Sequence, residues 1–479
     1  MRSRVVAFVL VAFVVACFPP ARAGRGGGGG SGSMSQGASR AERQALEAKV
    51  DRVRRGAQAM NARGADTREV FQLMQGVPEM IKQGRIAEAT SRTDRALAIV
   101  EPGYAGGSSS GGSLPSEGGG SAGGGPLAPG APAGAGWRHV STEPVLDIVR
   151  RPAGLPSNIQ NAPLTNWNDP SVMKENGQYV MWASLGMKGG GKDVSIWKLV
   201  SRDGTDWRIV GNGPVLEGGG FGAWDSYGVE TPAVIKVGGT YHMYYTAYKK
   251  PIGHLFTMGH ATSSDGEHWQ KQGELTSLTS VVGNKDGNPW GWLARAEPTA
   301  VYVNGEFWLY FTDVHCRSDD CKESPVAQRG VSLAKSRDGQ NFTQVGNAPV
   351  LLQSASYPPS AGWEGYSTPW VVHDGNSFHL FADLFRQTAK NGHFQTRIAH
   401  YQSEDGIHFR EVEADVVRVE GHPWATMSVR APTVIADGNR WLMWYAGDSF
   451  DPEHKPKDML AAIRSGQVRM GIAMASEER

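Results

Sequence analysis

One pattern recurs five times in this chain, and it limits the possible folds more than any other feature. Each copy has a short strand opening at a proline, a Gly-containing turn and an aromatic-rich strand. The copies are Asp169-Pro-Ser-Val-Met with Tyr179-Val-Met-Trp, Thr231-Pro-Ala-Val-Ile with Tyr241-His-Met-Tyr-Tyr, and Glu297-Pro-Thr-Ala-Val with Phe307-Trp-Leu-Tyr-Phe. The last two are Thr368-Pro-Trp-Val-Val with Phe378-His-Leu-Phe and Ala431-Pro-Thr-Val-Ile with Trp441-Leu-Met-Trp-Tyr. The prolines stand at 170, 232, 298, 369 and 432, so the spacings are 62, 66, 71 and 63 residues. Four units add a Ser-x-Asp-Gly-x-x-aromatic turn: Ser201–Trp207, Ser263–Trp269, Ser336–Phe342 and Ser403–Phe409. Asp-Gly supplies the positive backbone angle of a tight turn between two strands.

Four strands per unit, repeated radially, predict an all-β fold, a β-propeller of five blades. Such a ring needs closure, because an open edge strand invites aggregation. The fifth unit stops at Gly471-Ile-Ala-Met-Ala-Ser476, where its Asp-Gly turn and outer strand should follow. A matching strand lies at the other end of the repeat region. Trp137-Arg-His-Val-Ser-Thr-Glu-Pro-Val-Leu146 aligns with Trp207-Arg-Ile-Val-Gly-Asn-Gly-Pro-Val-Leu216 and with Phe342-Thr-Gln-Val-Gly-Asn-Ala-Pro-Val-Leu351. Residues 137–479 are therefore expected to form the propeller, with the N-terminal strand completing the last blade.

The rest of the chain divides by composition. Residues 1–23 have a charged start and an apolar run from Val5 to Val15, the pattern of a secretory signal peptide too short to span a bilayer as a mature helix. Two exits stay open: cleavage after Ala21-Arg-Ala23, or a lipobox Val14-Val-Ala-Cys17 in which Cys17 is lipidated. The protein is thus expected in the bacterial envelope, periplasmic or at the cell surface, or secreted. The only membrane contact expected is a lipid anchor at Cys17. Residues 24–37 read as a flexible tether and 102–136 as a Gly/Ser/Pro linker. Between them, 38–101 carry apolar residues at helical spacing in three stripes, which predicts a helical hairpin or three-helix unit. The pair Cys316 and Cys321 is expected to form a small-loop disulfide in an exported protein. Lys+Arg 48 against Asp+Glu 47 leaves no basic excess, which argues against a nucleic-acid partner. A monomer is expected.

Inner strands of a propeller converge on one axis, so the two residues before each proline should face a shared pocket: Asn168-Asp169, Glu230-Thr231, Ala296-Glu297, Ser367-Thr368 and Arg430-Ala431. Three carboxylates and one arginine at such positions suggest chemistry, since clustered like charges raise pKa values and cost stability. Carboxylate pairs flanked by aromatics are what glycosidic bond cleavage requires. Arg430 is placed to hold a sugar hydroxyl or carboxylate, or to neutralise Asp169 or Glu230. Trp167, Trp224 and Trp363, with Tyr227, Trp290, Trp292 and Trp424, lie in segments leading into the inner strands. They are candidates for a sugar-stacking rim. No cofactor and no metal ligand set is expected, apart from an axial Ca2+ or other ion at His315 as a lesser alternative.

With Trp167-Asn-Asp-Pro170 in its first unit and Arg295-Ala-Glu-Pro298 in its third, the chain resembles the five-bladed glycoside hydrolases grouped with families 43, 32, 68 and 117. The resemblance implies that Asp169 is the general base of inverting members or the nucleophile of retaining ones. It implies that Glu297 stabilises the transition state or tunes the acid. Those families carry the proton donor two residues before the fourth proline, where this chain has Ser367. The substitutes are Glu230, which is favoured, and Glu364. A binding propeller without catalysis and an envelope scaffold are the alternatives.

Overall fold

The computed structural model describes residues 85–101, 136–156, 159, 164–187, 194–220, 223–248, 256–279, 294–316, 327–352, 354, 356–389, 393–450, 456 and 459–478, with single helical positions between 46 and 80. The signal segment with Cys17, the tether, the linker before Gly136, Trp290, Trp292 and Cys321 lie outside the described residues, so the expected disulfide does too.

In the N-terminal part, α1 (Ile86–Val100) turns Ile86, Ala89, Ala96, Leu97 and Val100 to one buried side. Leu46, Val50, Val77 and Met80 pack with Ile86 and Ala89, while Val53 and Val70 pack with Ala96, Leu97 and Val100. The stripes are apolar because they bury one another.

From Arg138 onward the described chain is mostly strand. β1 (Arg138–His139) and β2 (Leu146–Asp147) precede four antiparallel meanders. The first is β3 (Leu164–Glu175), β4 (Gln178–Met187), β5 (Val194–Ser201) and β6 (Arg208–Ile209). The second is β7 (Gly228–Val237), β8 (Thr240–Tyr248), β9 (Phe256–Ser263) and β10 (Gln270–Glu274). The third is β11 (Ala294–Val303), β12 (Glu306–Cys316), β13 (Ala327–Ser336) and β14 (Thr343–Gln344). The fourth is β15 (Trp363–His373), β16 (Phe378–Ala389), β17 (His393–Ser403) and β18 (Arg410–Arg418). A last set, β19 (Ser428–Asp437), β20 (Arg440–Asp448) and β21 (Met470–Glu478), is extended by the two N-terminal strands. Arg138 pairs with Ser476, and Leu146 with Ile472. The second contact repeats the isolated pairs Ile196–Leu216 and Val331–Leu351, the same Pro-Val-Leu motif against the same kind of strand.

The five first strands lie side by side in chain order, and β19 returns against β3, where the Val172 N–H donates to Thr433 Oγ1 at 3.2 Å. One parallel pair, Arg329–Gly365, joins the third and fourth meanders. A Cβ on Gly365 would lie 1.9 Å from the Arg329 carbonyl oxygen, so only glycine permits that approach.

Aromatic residues repeat the same order. Edge-on pairs join Trp182 to Trp269, Tyr244 to Phe342 and Tyr310 to Phe409, each reaching from one meander to the next, with ring centroids 5.7–6.3 Å apart. Phe381 meets Trp137 in the same way at 6.1 Å, and Trp444 meets Trp207 at 6.2 Å. The residue facing Phe381 thus comes from the N-terminal strand. The polar tips follow suit: Trp182, Tyr244 and Tyr310 donate to the carbonyls of Gly266, Gly339 and Gly406, and Trp444 to that of Gly204, all at 2.8–2.9 Å. Phe381, which stands at this position in the fourth meander, has no donor at its ring tip.

Candidate active site

Each first strand is interrupted at its motif proline. Ladder pairing jumps from Asn168 to Ser171, Glu230 to Ala233, Ala296 to Thr299, Ser367 to Trp370 and Arg430 to Thr433. Proline cannot donate to a ladder, so a bulge absorbs it. The residue before each proline is driven into the left-handed region: Asp169 (φ 49°), Thr231 (48°), Glu297 (56°), Thr368 (42°) and Ala431 (51°). Positive φ is unfavourable for non-glycine residues and worst for β-branched ones, at a cost on the order of 1–3 kcal/mol each. The five bulges aim these residues at one place. A single pocket is lined by Asp169, Thr231, Glu297, Thr368 and Ala431, their five prolines and Trp370.

A ring of hydrogen bonds fixes the backbone there. The N–H of Thr231 donates to Ser184 Oγ (3.0 Å), that of Glu297 to Thr246 Oγ1 (2.8 Å) and that of Thr368 to Thr312 Oγ1 (2.9 Å). The N–H of Ala431 donates to Asp383 Oδ1 (3.2 Å). Each acceptor sits on the second strand of the preceding meander, two residues after its aromatic. At the fifth such position stands Ala446.

Charge is concentrated around this ring. Burial pushes the Asp169 carboxyl up to about 7, with the charge of Glu297 adding to the rise and Arg430, the Ser184 hydroxyl and the Thr231 N–H opposing it. Its Oδ2 is buried without a hydrogen-bond partner. Burial also drives Glu230 well above the ordinary carboxylate value, reinforced by Asp169 and opposed by a hydrogen bond from Tyr248. Glu297 is raised by burial against Thr312, whose hydroxyl donates to Oε2 at 2.5 Å, and against the Arg329 charge and the Thr368 N–H. Arg430 donates to Ser428 and, at 2.7 Å, to Asp448 Oδ2. Burial disfavours its charge, but Asp448, Asp169 and Asp383 together hold its pKa above the ordinary value.

The structure therefore brings Asp169, Glu230, Glu297 and Arg430 into one electrostatic unit. Of the residues two before the prolines, none lines the pocket itself, in contrast to the sequence expectation that both members of each pair would. Glu364 is drawn away, its carboxylate receiving Arg329 Nε at 3.2 Å with both side chains buried. Ser367 is buried, with Oγ lacking a partner. Trp167 is a correction to the expected rim: its ring is fully buried and packs edge-on against Trp197, because the alternation of β3 turns it into the core. Trp363 is buried against Tyr357, and Trp424 is buried as well. Trp224 is half-buried and stacked on Tyr245. Among the described residues no group of His, Cys, Asp and Glu is arranged to hold a metal. The sequence reading missed Asp383, a carboxyl 2 % exposed on β16. Aligning the second strands at their aromatics, with Ser184, Thr246, Thr312, Asp383 and Ala446 in register, would have found it.

No protein-family profile matches the chain. An uncharacterised protein of Mycobacterium tuberculosis, Rv1502, is 23 % identical over 245 residues, covering 50 % of this chain and 73 % of that protein. The solved structure of a BT0996 RGII complex aligns with a TM-score of 0.50 at 17 % identity, over 66 % of this chain and 90 % of that one. Zg3597, a family 117 glycoside hydrolase from Zobellia galactanivorans, aligns with a TM-score of 0.47 at 17 % identity, over 68 % of this chain and 89 % of that one. The solved structures similar to this chain include glycoside hydrolases, and at these identities the likeness is one of fold.

Proposed function

We propose that the chain is a five-bladed β-propeller closed by its N-terminal strand, and an exported glycoside hydrolase acting on a poly- or oligosaccharide. The observation that carries this reading is the pocket at the five bulges, where Asp169 and Glu297 are held at strained positions with raised carboxyls and Glu230 shares their field. Burying ionisable groups against one another costs stability, and active sites are where such costs recur.

In the proposed reaction Glu230 is the acid, because burial and the Asp169 charge keep its proton on. That proton passes to the glycosidic oxygen as the bond to the anomeric carbon breaks, and the bonding electron pair stays with the departing oxygen. Water adds to the anomeric carbon and gives its proton to Asp169; in a retaining enzyme the Asp169 carboxylate attacks first and water follows. Glu297 offers negative charge to the oxocarbenium-like transition state. Ser367 in place of a fourth-unit acid favours a second reading, a propeller that binds carbohydrate without cleaving it. Incubation with plant and bacterial glycans, followed by mass analysis of released sugars and by binding assays, separates the two: hydrolysis yields products, and binding alone yields none.

A further inference from the structure

Four oxygens at the bulges stand apart from the bonded backbone around them. Asn168 Oδ1, Asp169 Oδ2, Glu230 Oε2 and Ser367 Oγ are buried without a hydrogen-bond partner, on residues only 1–6 % exposed. Buried polar atoms are normally paired, so each exception needs a reason. Loose packing is not the reason, since the backbone of the same bulges is bonded at Thr231, Glu297, Thr368 and Ala431. The four oxygens also share a place. Asp169 lines the pocket, and Asn168, Glu230 and Ser367 hold equivalent ladder positions on β3, β7 and β15, opposite Ser184, Thr246 and Asp383. Buried oxygens gathered at one pocket and left unbonded by the protein match a ligand that brings hydrogen-bond donors.

The guanidinium groups nearby are in the opposite condition. Arg430 donates to Asp448 Oδ2 at 2.7 Å and to Ser428. Arg329 Nε donates to Glu364 Oε2 at 3.2 Å, and its guanidinium lies 4.0 Å from the centre of the Phe385 ring. Both acceptor side chains are buried, so each pair is internal. The carboxylate of an acidic sugar is ordinarily captured by the planar fork of an arginine. Here both forks are matched by carboxylates of the chain itself. An anionic sugar would bring its charge among buried carboxyls, with neither guanidinium left to take it.

We propose that the pocket selects uncharged glycosyl units: Asn168, Asp169, Glu230 and Ser367 exchange hydrogen bonds with sugar hydroxyls, and uronic acid glycosides are excluded. This rests on the proposed hydrolase reading and narrows its substrate. Asn168 and Ser367 set specificity by touching the sugar and take no part in breaking the bond.

The test uses the full chain and both anomers of nitrophenyl glucoside, galactoside, mannoside, xyloside and arabinoside, with the matching glucuronide and galacturonide. Wild type should cleave a neutral glycoside with kcat/KM at least about a hundredfold above that of either uronide. Ser367→Ala should lower kcat/KM on that glycoside about tenfold without shifting its pH profile. Its melting temperature should hold or rise, because an unbonded buried hydroxyl is removed. Asp448→Asn, which unpairs Arg430, should narrow the preference over uronides by about tenfold. Equal or better turnover of a uronide by wild type overturns the proposal, as does Ser367→Ala at the wild-type rate or an unchanged preference in folded Asp448→Asn. Calorimetry with the same probes reads binding without turnover. A neutral glycoside bound without release of nitrophenol sinks the hydrolase reading alone, and cleavage confined to a uronide sinks this one alone. A wild type that neither binds nor cleaves any neutral glycoside overturns it too. If Asp448→Asn does not fold, the wild-type and Ser367→Ala readings decide the matter.

Discussion

The indole N–H of Trp444 donates to the carbonyl oxygen of Gly204 at 2.8 Å, joining two residues 240 positions apart. Gly204 has φ 81°, and a Cβ there would sit 2.8 Å from the Trp444 ring, so the turn needs glycine for both its angle and its neighbour. The same bond recurs at Trp182, Tyr244 and Tyr310. Replacing Trp444 with Phe should cost about 1 kcal/mol, the net worth of one buried hydrogen bond, and Trp444→Ala about 3–5 kcal/mol. Chemical denaturation of the two variants measures these differences.

Trp137 fills the aromatic position opposite Phe381, and Arg138 and Leu146 pair with β21. Removing residues 1–147 should leave that strand with an open edge and produce aggregation or a marked loss of thermal stability. Light scattering and melting curves report it. A soluble, monomeric truncated protein with an unchanged melting temperature contradicts the assignment of this strand as structural.

Stability should pass through a maximum in mildly acidic solution. Burial lowers His139 and His260 to about 4, and His400 and His422 to about 3, from an ordinary 6.5. The unfolded chain takes up protons first as pH falls below 6.5, so their contribution is lost from there down to about 3. Asp169 has the opposite sign. Its folded carboxyl keeps its proton up to about 7 while the unfolded one releases it near 3.8, so stability is lost as pH rises between those values. Asp169→Asn should flatten the neutral side of a melting-temperature profile taken from about pH 3 to 8 and leave the acid side unchanged.

Glu364 and Arg329 form a buried pair outside the pocket lining. Glu364→Gln removes the buried ion-pair partner of Arg329 and should cost about 3–5 kcal/mol of stability. At a temperature where the variant remains folded it should retain the wild-type pH profile of sugar release. A shifted profile would restore Glu364 as a candidate proton donor.

The strand repeat was legible because its punctuation is local: proline, Asp-Gly and alternating aromatics constrain the backbone wherever they stand. Placing Asp169 and Glu297 at one pocket followed from the same register. Distant partnerships were not legible. Nothing beside Glu364 in the chain reveals Arg329, which reaches it from another meander. Trp167 precedes the motif like a rim residue, but its direction depends on a bulge that begins only after Asn168. Asp383 escaped because it stands on the strand beside the motif, where no proline marks its place at the ring.

The central claim is that carboxyls gathered at the five bulges cleave glycosidic bonds. Its most direct test is sugar release by wild type, Asp169→Asn and Glu297→Gln at matched folded concentration. The account predicts that each variant melts no lower than wild type at neutral pH while its rate falls by about 10²–10⁴. Release at the wild-type rate by both variants would contradict it.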